Sequence, residues 1–572
     1  MVIAKWDNKC PACGIRFIVG KSELQKKDGK WVHAYCPNKG GRKYGVNEPL
    51  PIEHNPIINF DELADAIAEP EIEVQEVKEF IPSKYQQDIF DFVANGTGHG
   101  VVEAVAGSGK TTTIVKALDL TPQDAKVGFV AFNKHIATEL KKRAPEHVYV
   151  STLHSLGLKV IKNNYPQVKI EEDKVGLILD DIYPVSKQVL NEGKITKAER
   201  KDNYAKRLSM RKLVSICKST LIDVEDGNQV NMVIDRYGIE IDSQFQDELV
   251  NKLPEIMELC KSNVEIVDFD DMIWLPLVLD MKLEKFDFLM VDEAQDMNKS
   301  QTDFILKSIS DTGRIIAVGD RRQSLYGFRG ADTEAIPNII KSLGATVLPL
   351  SVTYRCPSSH VELARQIVTQ LEARDNAPVG FIGDVQYLDL TKQLQAGDMV
   401  ICRTNAPLVQ PAFECIRMGK KAIIRGKDIG QSLVNLIKRF ETDDLGSFEI
   451  ALFEYFHFEH TKLMDKGKEM QAMLLEDRVS TLHFIMKECK TVSELMSRIM
   501  MLFDDSQTGI VFSSVHRAKG LEADNVFILR KDLMPHPKAK QEWEKTQELN
   551  GQYVAQTRSK NNLYFVIGGE NV

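Results

Sequence analysis

Short, unbroken apolar runs recur along the chain, separated by stretches with helical spacing. Gly100–Ala104, Lys126–Phe132, Val148–Thr152, Phe286–Val291 and Arg314–Gly319 form one set. Asp398–Cys402, Gly509–Val515 and Asn562–Ile567 form a second. Runs of this length without polar alternation predict strands buried on both faces, as in a parallel sheet. The segments between them are long enough for helices, so the chain predicts strand–helix–strand units with right-handed crossovers. Ligands of such sheets bind at the carboxyl ends of the strands. Ser83 is placed to cap a helix that begins at Lys84. Two spans break the rhythm, about 157–265 and 430–505. Both are rich in Lys, Glu and Leu at helical spacing, as in Tyr204–Ile216, and read as helical insertions. The charges of the first read as a solvated face, with a DNA-tracking surface as the alternative.

Composition adds limits. At 572 residues the chain is too long for one core. No apolar run is long enough to span a membrane, and the N-terminus lacks the apolar core of a signal peptide, so a cytoplasmic or nucleoid location is expected. A net charge of −9 excludes a uniformly basic nucleic-acid coat, so any such contact must use a local groove. The charge is uneven. Residues 1–45 carry ten lysines and arginines, whereas Glu48–Glu79 is acidic with only Lys78 opposing. That shift predicts a small N-terminal module over 1–45 and a linker over 46–79. Within the module, Cys10, Cys13, His33 and Cys36 have the spacing of a tetrahedral Zn²⁺ site, which would stabilise so small a segment. Its partner is read as DNA or another protein, for instance one of replication or recombination. The other cysteines are scattered, as reduced core thiols are.

The densest chemistry lies at Ala104–Thr111, between a predicted strand and a predicted helix. Ala106, Gly107, Ser108, Gly109, Lys110, Thr111 and Thr112 form a phosphate cradle at a helix N-terminus. Its glycines let the backbone approach phosphate, Lys110 supplies a point charge, and the Thr111 hydroxyl suits Mg²⁺. Ala104 stands where the strict pattern has Gly. Phe286–Val291 ends in Asp292 and Glu293. Asp292 suits Mg²⁺ and Glu293 a proton-accepting role toward attacking water. Gln86 offers the donor and acceptor that an adenine edge requires. Gln323 is placed to sense a γ-phosphate, and Phe328 with Arg329 suits stacking and phosphate contact on a single strand.

These blocks resemble a superfamily 1 helicase of the UvrD-like type. The resemblance is carried by Tyr85-Gln86, AVAGSGKT, Phe132-Asn-Lys, STLHS, DFDDM at 268–272, VDEAQD, GDRRQSLYGFRGA, Thr353-Tyr-Arg355, VHRAKGLEADNV at 515–526 and Tyr553–Arg558. They fall in the family's order over roughly 80–568, with phage-type and F-box helicase features. The resemblance implies an α/β fold of two RecA-like parallel-sheet domains, 80–345 and 346–572, with ATP between them. It implies that Gln86 and Tyr354 hold adenine and that Glu522 bonds the ribose. Arg355 and Arg558 would reach the γ-phosphate, although a structural salt bridge is the competing role for Arg355. Asn133, Thr152, His154, Phe328, Arg329 and His516 would line a single-strand groove, with a metal or acid role as the competing reading of His154. Partners would be single-stranded DNA and single-strand/duplex junctions, with movement 3′ to 5′ by a monomer. The alternative is a translocase that displaces proteins without unwinding duplex. The second insertion is short for the family, and Asn550-Gly551 replaces a usual Arg-Leu.

Overall fold

The computed structural model describes residues 2–3, 23–27, 30–33, 80–131, 134–239, 241–325, 334–440, 442–465, 469–506, 508–539 and 542–568. Chain contacts divide the molecule into two units, Met1–Phe80 and Ile81–Val572. In the first unit, β1 (Val2–Ile3), β2 (Glu23–Lys27) and β3 (Lys30–His33) form an antiparallel sheet in that order. His33 ends β3 opposite Leu24. Cys10, Cys13 and Cys36, the other expected Zn²⁺ ligands, lie outside the described residues, as does the acidic linker. Among the described residues no cluster of His, Cys, Asp or Glu is arranged to hold a metal.

The second unit contains two parallel sheets. The first begins with β4 (Gly100–Ala104), β5 (Val127–Ala131) and β6 (Val148–Thr152). A helical insertion follows, its root closed by the short parallel pair β7 (Lys169–Ile170) and β8 (Ile266–Val267). The sheet resumes with β9 (Phe286–Val291), β10 (Ile309–Gly319) and β11 (Thr346–Leu350). Its order is β11-β4-β10-β9-β5-β6. β11 pairs along its whole length with β4, so the first domain runs to Leu350 rather than to 345.

The crossing segment holds β12 (Val352–Thr353) and β13 (Glu372–Ala373), a parallel pair. The second large sheet comprises β14 (Phe381–Gln386), β15 (Met399–Cys402), β16 (Ala422–Arg425), β17 (Phe503–Asp504), β18 (Ile510–Ser514), β19 (Ala523–Ile528) and β20 (Ser559–Ile567). Its order is β14-β20-β19-β15-β18-β16-β17. Every expected strand is present, because buried parallel strands are written as continuous apolar runs.

The two insertions differ in how they are rooted. The first holds the long helix Lys197–Thr220, which starts on a capping box between Thr196 and Glu199. It has its own core, including Leu213, Val214, Leu249, Leu253 and Ile256. Its charges are not only a solvated face. Lys174 and Lys218 are fully buried, and Lys218 lies 2.7 Å from Asp268 and 2.8 Å from Asp271. Lys174 lies 2.6 Å from Asp271. The acidic run at 268–272 thus neutralises both lysines, which explains how they can be buried. The second insertion has no separate core. Phe448, Leu482, Leu495 and Ile499 pack in one cluster with Val400, Ile424 and Phe512 of the sheet. Among the described residues no helix is long and apolar enough to cross a membrane.

Candidate functional site

β4 delivers the chain into the glycine loop, and the helix Lys110–Leu118 leaves it. Gly107 and Gly109 both sit at positive φ, +72° and +75°. At Gly107 a Cβ would also lie 2.6 Å from Arg355 Cβ, so the position needs glycine twice over. The Ser108 hydroxyl is buried without a hydrogen-bond partner, which suits an incoming phosphate oxygen. Thr111 and Thr112 occupy the first turn, where the helix dipole favours negative charge.

Beside the loop, β9 ends in the carboxylate pair. Glu293 is in the left-handed region at φ 51°, which turns its side chain toward Lys110 Nζ at 3.5 Å. Burial opposes charge on Glu293, but Lys110 and then Lys519 outweigh it and hold the carboxyl below its usual range. Asp292 is pushed up, first by burial and then by the charge of Glu293. Burial alone would lower Lys110, yet Glu293, Asp320 and Asp292 carry it above its ordinary value. Asp296, pushed up by burial to about 6, pairs with Lys519. Three buried carboxyl groups, Asp292, Asp296 and Asp320, and the half-buried Glu293 therefore surround two ammonium groups. An Mg²⁺ ion arriving with phosphate would be held by Asp292 and the Thr111 hydroxyl together with the ligand's own oxygens, not by an all-protein cage.

A chain of hydrogen bonds runs outward from Glu293. Gln295 Nε2 donates to Glu293, and Asp320 N donates to Gln295 Oε1 at 2.9 Å. Gln323 Nε2 donates to Asp320 Oδ2 at 2.7 Å. Gln323 is thus tied to the glutamate through two intermediates.

The opposite wall comes from the second domain. Arg558 is 1% exposed, and its guanidinium donates to the carbonyls of Val554 and Leu521 and to the Thr557 hydroxyl. Burial, then the neighbouring Arg355, lowers it to about 10, and it lies within electrostatic reach of Lys110 and Asp320. Arg355 Nε donates to Glu522 at 2.7 Å, so the expected phosphate ligand and the expected ribose ligand are paired with each other. Tyr553, fully buried, accepts a hydrogen bond from Ala106 N at 2.8 Å and lies 3.5 Å from Asp320. At the outer end, Tyr354 donates to Gln86 Oε1 at 3.3 Å, and Gln86 Nε2 donates to Thr113. Gln86 also completes a capping box with Ser83. Gln86 and Tyr354 both flank Gly109, which places the expected adenine residues beside the loop.

The expected strand groove is partly described. Asn133, Phe328 and Arg329 lie outside the described residues. Thr152 caps the helix Leu153–Asn164 through Ser155 N at 3.3 Å. His154, lowered by burial, meets the half-exposed ring of Phe269 edge-on at 6.4 Å. His516 is half-buried on the turn after β18.

Sequence reading missed Gln295, Asp320, Lys519 and Tyr553 as members of the site. All four stand inside quoted blocks. The missing signal was contact: Tyr553 and Ala106 are 447 residues apart in the chain.

Comparisons with known proteins place the chain in a family. The profile of the UvrD/REP helicase N-terminal domain matches residues 85–343, and that of the UvrD-like helicase C-terminal domain matches 431–568. The F-box DNA helicase protein 1 of Schizosaccharomyces pombe is 25% identical over 514 residues, covering 81% of this chain and 55% of its own length. DNA helicase II of Haemophilus influenzae is 25% identical over 52% of this chain and 44% of its own. The ATP-dependent DNA helicase PcrA of Staphylococcus aureus is 25% identical over 47% of this chain and 37% of its own. The chain thus spans about half or less of the length of these curated relatives. Both profiles fall on the two parallel-sheet domains that wall the cleft, and the chain belongs to the UvrD-like superfamily 1 helicases.

Proposed function

We propose that the chain is an ATP-dependent DNA helicase moving 3′ to 5′ on single-stranded DNA. The observation that carries this is the meeting of Lys110, on one domain, with Arg558, on the other, around one buried acidic site. Lys110, the loop amides and Ser108 would bind the β- and γ-phosphates. Mg²⁺ held by Thr111 and Asp292 would offset phosphate charge when bound. Glu293, kept ionised by two lysines, would accept a proton from the attacking water. Arg558 and Arg355 would leave their present partners to face charge developing on the γ-phosphate. Loss of that phosphate removes their ligand, so the cleft relaxes and the two domains shift along the strand. Opening a base pair costs roughly 1.4 kcal/mol in stacking, a small load for one ATP.

A second reading, translocation that displaces proteins without unwinding, is favoured by the short second insertion. It spans only the helices Lys427–Lys438, Leu445–Asp465, Glu469–Met486 and Val492–Leu502. ATPase and strand displacement on 3′-tailed, 5′-tailed and blunt DNA, with and without residues 1–79, separate the two. Unwinding of the 3′-tailed substrate alone is the expected result. Lys110→Ala should lose DNA-stimulated turnover, and retained turnover would refute the assignment of the phosphate loop.

A further inference from the structure

The loop that carries Gln323 belongs to the first domain by sequence but is held by the second. β10 ends at Gly319, and Arg321–Gln323 makes one tight turn. Leu325, two residues later, is fully buried in an apolar cluster of the second domain with Ile401, Val515, Val554 and Ala555. The carbonyls on either side of Gln323 face the helix Glu542–Gln556. There the amide of Asn550, 3% exposed, lies 3.1 Å from Ser324 O and 3.4 Å from Arg321 O. Its Oδ1 is buried with no donor. One turn on, Tyr553 touches the phosphate loop and Asp320, and Arg558 follows the same helix. Asn550 and Tyr553 are three residues apart and so share a helix face.

We propose that Asn550 is a positioning residue: its amide fixes the Gln323 loop to the second domain, so that domain movement resets Gln323. Two observations converge on this. Asn550 donates to the two carbonyls that bracket the sensor, and Leu325 anchors the loop's exit in the same domain. A helix that shifts relative to the first sheet must drag Arg321–Leu325 with it or break these bonds. Gln323 moves with them, and so does its bond to Asp320. The inference rests on the proposed ATP-driven function and adds the route by which DNA occupancy and nucleotide state inform each other.

Asn550→Asp keeps the shape, removes the donor and sets a carboxylate against two carbonyls. In the full chain, the ratio of DNA-stimulated to basal ATP turnover should fall about tenfold, since small misplacements of catalytic groups have effects of that order or larger. Asn550→Gln, which retains the carboxamide donor, should lose less. An Asn550→Asp ratio equal to wild type, or equal losses in the two variants, overturns the proposal. Should Asn550→Asp not fold, amide exchange of the wild type decides. Segments 321–325 and 548–552 should gain protection together when a non-hydrolysable ATP analogue and single-stranded DNA are added, and protection of one without the other overturns the proposal. A wild type without DNA-stimulated turnover would remove the proposed function itself. A stimulated wild type indifferent to Asn550→Asp would remove only the positioning role.

Discussion

The two walls of the cleft treat charge in opposite ways. The first domain gathers Asp292, Glu293, Asp296 and Asp320 around its own Lys110, with Lys519 of the second domain as the other ammonium, and holds the Ser108 hydroxyl buried without a partner. The second domain pairs several of its ions internally, although its Lys519 reaches across to Asp296. Arg403 makes a bidentate pair with buried Glu548, Asp477 accepts from the amides of Asn405 and Ala406, and Arg558 donates to two carbonyls and a hydroxyl. The first wall thus concentrates carboxyl groups beside the glycine loop, whereas the second holds Arg355 and Arg558 on acceptors of its own.

The largest test removes the arginine that must change partners. Arg558→Ala should bind ATP yet hydrolyse it about 10³-fold more slowly, in line with the contribution of such arginines. ATP binding by fluorescence and turnover in a coupled assay check this, and lost binding would make Arg558 structural. Next, Lys218→Met leaves Asp268 and Asp271 facing one lysine instead of two. It should destabilise the first insertion by about 3–5 kcal/mol in urea unfolding. A near-neutral change would mean that the buried charges there are as dispensable as surface ones. A smaller effect is expected of Tyr553→Phe, which leaves the Ala106 N–H without an acceptor in the absence of nucleotide. It should cost about 1–3 kcal/mol of stability, recovered in part when ATP is added. The smallest is a pH effect on the second domain. His536 is lowered to about 4, by burial and then by Arg403. Its folded value lies below its unfolded one, so its contribution to stability is full above about pH 6.5 and is lost as pH falls toward 4. His536→Asn should flatten the fall in Tm between pH 7 and 5, and an unchanged slope would exclude the group.

Local features were legible in the sequence. Strands appeared as apolar runs, the Ser83 cap as a helix start, and the glycine loop as a turn between strand and helix, because each depends on neighbours within a few residues. What escaped depends on distant parts of the chain. Lys174 and Lys218 look like other lysines on helical segments, and only the packing of Asp268 and Asp271 against them shows why they are buried. Thr346–Leu350 is not among the strands expected from the sequence, and its place beside β4 is a matter of topology. The pairing of Arg355 with Glu522 could not be read from two residues 167 positions apart.

The rooting of the second insertion has a mechanical meaning. Its helices share their interior with the sheet beneath them, so there is no slack between appendage and motor. A load applied to those helices would pass straight into β15, β16 and β18 rather than be absorbed by a loose joint.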